Sequence, residues 1–264
     1  MKKYLTVFKT EFLHFLQYRS EFFSVVLSIL VQLFIFIFIT LAIYENKNEV
    51  FGISLSEFAT YNLLSSFLYK AVETDVNWVL SDHIRSGNLA NFFIKPINYN
   101  LHRISAELSW KFHLLVYTTI TLGVLVVFYS SHFELFIIAA RIPVFLLSTF
   151  LAYMLNRSIR LLIGTFSFWS KDTGGFANFV NNISSILGGA WYPLEFFGPF
   201  INFFRILPFG YLYYFPIQLL IDPEMDFANI AYIIFIQLIW IALFSVITSI
   251  FWKRGVKHFE SVGL

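Results

Sequence analysis

Long uncharged apolar segments recur along the 264-residue chain. Four of them contain no Asp, Glu, Lys or Arg, and they cover residues 22–44, 112–133, 174–194 and 227–252. A helix rises about 1.5 Å per residue and the hydrocarbon core of a bilayer is about 30 Å thick, so roughly 20 such residues cross it. The pattern therefore predicts several membrane-spanning helices.

Two weaker apolar segments complete the expected set of spans. One ends in the charged residues Lys70, Glu73 and Asp75, and the other is interrupted by Arg157 and Arg160. We predict an all-α integral membrane protein in which residues 1–264 form a single transmembrane domain. Its six spans are expected at about 22–44, 57–75, 109–130, 142–169, 176–192 and 227–252.

Two segments of the chain do not fit the pattern of a spanning helix. Residues 1–20 alternate apolar and polar positions at helical spacing, which predicts an amphipathic helix in the membrane interface or, alternatively, a simple anchor. Between spans five and six the chain stays apolar but contains Pro193, Pro199, Pro208 and Pro216. Prolines at this density break a helix, so we expect a re-entrant hairpin buried against protein.

Composition and charge agree with a membrane protein and indicate its orientation. Only 13% of the residues are charged, against about 25% in soluble domains, and the net charge of +2 gives no reason to expect a nucleic-acid partner. With the N-terminus inside, only Lys47, Arg141 and Arg205 among the 18 Lys and Arg residues fall outside. The positive-inside rule therefore predicts that both termini are cytoplasmic. The first apolar segment is too long for a signal-peptide core and is expected to be retained.

Motifs for catalysis are missing from the sequence. It contains no cysteine and no G-x-x-x-x-G-K-[ST], H-E-x-x-H or G-x-S-x-G pattern, so disulfides, a phosphate-binding loop and the common zinc and serine-nucleophile sites are not expected. We therefore expect no metal and no cofactor in this chain.

A set of short motifs is similar to a known membrane family. The segment Ile84 to Leu89 reads I-R-S-G-x-L and is followed by Lys95-Pro96. Further matches occur in the same order along the chain: Phe168-Trp169, Gly188 to Leu194, Leu207-Pro208-Phe209 and Phe215-Pro216. Together they resemble the six-span "ABC-2 family transporter" branch of the type-2 ATP-binding-cassette exporter permeases. Lys95 stands where an arginine is common in that family.

The resemblance implies a transport subunit without hydrolytic activity of its own. Such permeases lie in a bacterial plasma (inner) membrane, pair with an identical or homologous second membrane subunit, and bind a separate ATPase dimer that holds ATP and Mg. The ATPase contacts the cytoplasmic loop after span two, here residues 76–105, often called the coupling helix. The expected docking residues are Asp82, His83, Ile84, Arg85, Ser86, Gly87 and Leu89, with Asp82 and Arg85 as polar contacts and Ile84 and Leu89 as apolar plugs. An ordinary solvated loop is the alternative.

Polar residues within the predicted spans are further candidates. Arg157 and Arg160 share a helix face and are expected either to bind anionic groups or form a gate ion pair with Glu73 or Glu107, or to snorkel to lipid headgroups. Two stripes of small or polar residues are expected to line the dimer seam and the substrate path, or to pack within one subunit. Their members are Asn62, Ser65, Tyr69, Asn178, Asn181, Ser185, Gly188 and Gly189.

Two other functions stay open from the sequence. A membrane enzyme acting on lipids would need a catalytic group, for which His83, Asp82 and Arg85 are the candidates. A non-catalytic immunity or assembly protein would need no ATPase partner.

Overall fold

The computed structural model describes residues 2–17, 19–45, 47, 49–111, 123, 135–170, 172–222 and 224–259. Helices make up most of these residues, and the strands that they contain form one short two-stranded hairpin. The all-α class expected from the sequence is therefore confirmed. The predicted span at 109–130 lies mostly outside the described residues.

The first part of the chain forms two long helices, a hairpin and a third helix. Helix α3 (Leu55–Val72) begins with a capping box. In it, the Glu57 amide donates to Ser54 Oγ (3.3 Å) and the Ser54 amide donates to Glu57 Oε2 (2.8 Å). This reciprocal pairing satisfies amides that have no partner inside the helix. The elements are α1 (Lys2–Gln17), α2 (Arg19–Ile43), β1 (Glu49–Val50), β2 (Ile53–Ser54) and α3 (Leu55–Val72).

A cluster of shorter helices follows α3 and leads to the long central helix. The segment expected to be a loop at 76–105 contains two complete helices, α4 (Val76–Arg85) and α5 (Ala90–Phe93), and the start of α6, which covers 99–111. Helix α7 (Leu135–Thr165) continues into a 3-10 turn, Phe166–Phe168. The helix that corresponds to the predicted fourth span, 142–169, therefore begins earlier than expected. Pro143 lies inside this helix and does not end it.

Helix α8 (Gly174–Leu187) is shorter than the span predicted at 176–192. Its 14 residues rise only about 21 Å, less than the bilayer core of about 30 Å. The helix ends at a Gly188 cap, and Gly189 has a φ of 79°. The last part of the predicted span is therefore a turn.

The proline-containing segment after α8 is divided into short helices. They are a 3-10 helix at Leu194–Phe200, α9 (Ile201–Phe204), a second 3-10 helix at Phe209–Tyr211, and α10 (Tyr214–Ile221). Tyr211, Leu212 and Ile217 are fully buried, so this segment packs against the rest of the protein rather than crossing as one straight helix. The last helix, α11 (Phe227–His258), begins at Asp226, whose carboxylate accepts from the Asn229 amide (2.7 Å).

Two helices in the described ranges are long and apolar enough to cross a membrane. They are Ala140–Phe168 and Phe227–His258, with mean hydropathies of 1.4 and 2.6. Most of the apolar window of α11 is exposed, as expected for a helix that faces lipid, whereas half of the α7 window is buried. Helix α7 is thus the central element of the fold.

The apolar core has two parts, one along most of α7 and one at its C-terminal end. The larger part joins α7 to α3, α10 and α11. The smaller part joins the end of α7 to α4 and to the end of α11. At this end Gly255 of α11 lies against the Phe168 ring so closely that a Cβ atom would be 2.1 Å from it. The small core therefore fixes the segment after α3 on two long helices.

Candidate functional site

The loop after α3 is a helix–turn–helix with a sharp bend at Gly87. Helix α4 ends at Arg85, and Gly87 adopts a φ of 77°, a backbone conformation that favours glycine. The Leu89 amide then donates to the His83 carbonyl (3.0 Å) and the Ala90 amide donates to the Gly87 carbonyl (3.0 Å). These bonds hold the bend rigidly, so the predicted docking residues lie together on one compact element.

The inner side of this loop is apolar and buried. Ile84 is 8% exposed and Leu89 is fully buried, and both pack in the small core against α7 and α11. Both side chains thus attach the loop to its own subunit. The apolar docking role expected for Ile84 and Leu89 stays a prediction. The remaining members of this core are Val76, Leu80, Tyr99, Leu161 and Phe168, with Phe92, Trp252, Val256 and Phe259 at its edge.

The outer side of the loop combines charged and apolar exposed groups. Asp82, Arg85 and Ser86 are exposed, as expected for polar docking contacts. Phe93 is half exposed and Ile94 is 79% exposed, directly before Lys95-Pro96. The apolar patch before Lys95-Pro96 is visible in the sequence, but Phe93 and Ile94 were not among the predicted docking residues.

Two histidines and a tyrosine fill the space between the loop helices. His83 Nδ1 lies 3.2 Å from the Tyr99 hydroxyl, and the Phe92 ring packs against both His83 and His102. Burial lowers the pKa of each imidazole, and the nearby Arg103 guanidinium lowers it further. Both effects favour the neutral form of the two imidazoles.

The junction between α3 and α4 is held by side chains from α6 and α7. Lys111 Nζ donates to the carbonyl oxygens of Ala71 (2.7 Å) and Glu73, and Asn156 Nδ2 donates to that of Val72 (2.9 Å). These are carbonyls of the last turn of α3, which have no partner within the helix. The sequence analysis missed Lys111, although a lone lysine in an apolar predicted span is a signal for an internal contact.

A buried carboxylate connects the same junction to Arg157. Glu107 Oε2 accepts from the hydroxyls of Thr74 (2.9 Å) and Tyr153 (2.8 Å) and lies 3.5 Å from Arg157 Nε. Both charged side chains are buried. Arg157 thus lies beside Glu107, one of its two expected ion-pair partners. Its buried side chain does not extend to the lipid headgroups.

Arg160 is buried as well, but it contacts a different element. Its guanidinium donates to Asn156 Oδ1 (3.4 Å), to the Ala177 carbonyl (3.3 Å) and to Asn181 Oδ1. The other expected partner, Glu73, is instead paired with Lys70 (3.2 Å). Arg160 therefore links α7 to α8 within the subunit and is not available for headgroups.

The polar stripe of α3 faces the turn that ends α8. The hydroxyls of Tyr61 and Ser65 donate to the carbonyls of Gly189 and Ala190, each at 2.5 Å. Asn62 is buried without a hydrogen-bond partner for its amide, and the Tyr69 ring stacks on Tyr213. These contacts of Tyr61, Ser65 and Tyr69 lie within one subunit, and a role of the stripe at the dimer seam or the substrate path stays a prediction.

The stripe of α8 is divided between the interior and the surface. Ser185 is buried and donates to the Asn181 carbonyl (3.0 Å), and Gly188 and Gly189 are buried in the turn. Asn178 is the one member of the stripe that is exposed.

Within the described ranges no group of three or more His, Asp or Glu residues is placed to hold a metal.

Comparison with known sequences supports the resemblance noted above. The profile of the family described as "ABC-2 family transporter protein" matches residues 27–263, which include the loop and both stripes. No curated protein and no solved structure matches the chain. Since the match covers most of its length, the chain belongs to the ABC-2 transporter family, whose members are membrane permease components of ATP-binding-cassette transporters.

Proposed function

We propose that the chain is the permease subunit of an ATP-driven exporter and that a separate ATPase dimer moves it through the α4–α5 loop. The observation that carries this proposal is that the loop has two different sides. The inner side is attached to α7 and α11 through the small core, and the outer side exposes charges together with Phe93 and Ile94. Such a mixture is typical of a protein-binding surface.

The attachment supports transmission of movement to the spans. Because Ile84 and Leu89 are buried against the ends of α7 and α11, a displacement of the loop displaces these helices as well. The polar contacts of Lys111 and Asn156 at the α3–α4 junction would transmit the same displacement to α3. ATP and Mg would be bound by the partner alone, and closure of the ATPase pair would supply the motion.

The remaining parts of the proposal concern the assembly and its location. The permease would act with a second membrane subunit, identical or homologous, in a bacterial plasma membrane with both termini and the docking loop cytoplasmic. Asn178 on the exposed side of α8 is the stripe residue best placed to face that second subunit or the substrate path. Export of substrate is the direction that the resemblance to type-2 exporters supports.

Single cysteines provide a direct test, because the chain has none of its own. Ile94→Cys and Arg85→Cys, in membranes treated with a bifunctional maleimide, are expected to cross-link to a chain that binds ATP. Ile84→Cys, whose side chain is buried, and Arg254→Cys, exposed on α11 outside the loop, serve as controls and should not cross-link to it. Cross-linking from none of the positions, or from the controls equally, would overturn the docking assignment.

A further inference from the structure

A cavity of about 890 Å³ lies at the end of the molecule opposite the docking loop. It is formed by the β-hairpin, the first turns of α3, α7 and α11, and the segment from Pro193 to Asp222. Tyr61 is the last residue of α3 in the cavity wall, and the helix rises roughly 16 Å from there to its end at Val72, at about 1.5 Å per residue. The volume is in the range of pockets that hold small organic molecules.

One carboxylate in the wall of this cavity has no counter-ion among the residues that the structure describes. Glu195 Oε1 accepts from the Tyr214 hydroxyl (2.5 Å) and from Gln218 Nε2 (3.2 Å), and these two donors fix the side chain. Glu195 Oε2 is shielded from solvent, and no hydrogen-bond partner for it lies in the described part of the chain. Such an oxygen is costly to leave unpaired, so the site is incomplete without a donor.

The other charged residues of the cavity do not supply that donor. Arg141 is directed to the carbonyls of Asp222 and Met225 (3.3 Å for the latter), and Arg205 is exposed. Among the residues that the structure describes, no basic side chain lies within ion-pair distance of Glu195. The negative charge of Glu195 is therefore left for a ligand.

Aromatic rings at the rim complete the site. Phe51 is 67% exposed and Tyr232 is 55% exposed, and both line the cavity. Phe51 has a φ of 53° and precedes Gly52, with a φ of 76°, in the two-residue turn of the hairpin. A non-glycine residue in this conformation costs about 1 kcal/mol or more. The Phe51 ring contacts the Phe196 ring, with 5.3 Å between the centroids, but it stays mostly exposed. Its position at the rim suggests a functional reason.

We propose that this cavity binds a ligand with a primary or secondary ammonium group next to an apolar body of aromatic size, and that Glu195 is its counter-ion. An N–H donor would pair with the carboxylate, while the ring of Phe51 or Tyr232 would contact the apolar part and attract the cation. The inference does not depend on the docking role of the α4–α5 loop, and it can be tested without the ATPase.

The first test compares three probes on the complete chain in phosphatidylcholine nanodiscs. Binding of 2-phenylethylammonium, 2-phenylethanol and N,N,N-trimethyl-2-phenylethylammonium is measured by calorimetry, with empty nanodiscs subtracted to remove partitioning into lipid. The primary ammonium is expected to bind at least about tenfold more tightly than the other two. Equal binding of the ammonium and the alcohol, or no binding of the ammonium at millimolar concentration, would overturn the proposal.

Variants then assign the charge to Glu195. Glu195→Gln is expected to weaken 2-phenylethylammonium binding at least about tenfold, because the charge-assisted bond is lost. Glu49→Gln is the matched control, since Glu49 is exposed on the hairpin, lies outside the cavity lining, and should leave binding unchanged. If Glu195→Gln fails to fold, the comparison of the three probes on the unaltered chain still tests whether the cavity prefers a primary ammonium. Unchanged binding by a folded Glu195→Gln chain would contradict the assignment.

The ammonium group could come from a lipid headgroup or from a separate molecule. Nanodiscs that contain phosphatidylethanolamine distinguish the two sources. Weaker binding of 2-phenylethylammonium in these discs would show that a headgroup ammonium alone fills the site, and it would contradict the apolar body of the proposed ligand. Equal binding would support a ligand other than this lipid.

Discussion

Gly189 determines how closely α3 approaches the turn that ends α8. Its φ of 79° favours glycine, and a Cβ atom at this position would lie 2.6 Å from the Tyr61 hydroxyl oxygen and 3.0 Å from Tyr214 Cβ. The Tyr61 hydroxyl also donates to the Gly189 carbonyl. Backbone conformation and space therefore both exclude a larger residue here.

Gly189→Ala is expected to destabilise the protein by about 1–3 kcal/mol, because it adds backbone strain and displaces Tyr61. Gly175→Ala is the control, since a Cβ at Gly175 meets nothing within 4 Å and its stability should change by less than about 1 kcal/mol. Thermal unfolding in detergent, followed by tryptophan fluorescence, measures both. Equal Tm values for the two variants would show that the close approach is not required.

The sequence could not indicate which surface these glycines would face. Small residues on one helix face predict a close approach, and this expectation holds for Gly188 and Gly189. The sequence left open which helix contacts this turn. The contact between Ser65 and Ala190 joins residues 125 positions apart, and no local pattern specifies such a pairing. The same holds for Arg157, whose contact with Glu107 follows only from how α6 and α7 meet.

The break between α3 and α4 is the main feature at the level of elements. Helix α3 ends at Val72 and α4 begins at Val76, so three residues connect α3 to the α4–α5 loop. Lys111 from α6 supplies donors to the carbonyls at this break. A buried donor from another helix thus substitutes for the intrahelical bonds that the break removes.

Lys111→Met should leave the Ala71 and Glu73 carbonyls without their donor and lower stability by about 1–3 kcal/mol. Lys70→Met is the matched control at the same junction, because its partly exposed pair with Glu73 should contribute about 1 kcal/mol or less. The difference in Tm between the two variants measures the effect. A Lys111→Met chain as stable as the control would contradict this account of the junction.

The sequence indicates where a helix begins when a capping side chain marks its start. It does not always indicate what buries the apolar side of that helix. The capping residues Ser54 and Asp226 mark helix starts by their own side chains. Ile84 and Leu89 form an apolar side that periodicity can identify. Whether that side binds a partner or its own subunit depends on the end of α11, which lies more than a hundred residues later in the chain.

At the level of the whole molecule, three helices connect the cavity to the α4–α5 loop. Helices α3, α7 and α11 each begin at the cavity and end near this loop. The basic residues predict that the loop end is cytoplasmic, and the cavity would then face the opposite side of the membrane. The helical class and the family were evident from apolar segments and ordered motifs, while the cavity required the three-dimensional arrangement.

Single cysteines also test this orientation. A Glu49→Cys chain should react with a membrane-impermeant maleimide in intact cells, because the hairpin is expected outside. A Ser86→Cys chain, exposed on the loop, should react only after the cells are permeabilised. The reverse pattern would place the loop where no cytoplasmic ATPase can reach it.

The missing side chain at Gly255 limits how α11 can move. Each residue along a helix is turned by about 100°, so rotation of α11 about its own axis would bring Arg254 or Val256 toward the Phe168 ring. No room exists there even for a methyl group. Rotation of α11 would therefore have to displace the Phe168 ring, so we expect the ends of α7 and α11 to swing or shift together whenever the α4–α5 loop moves.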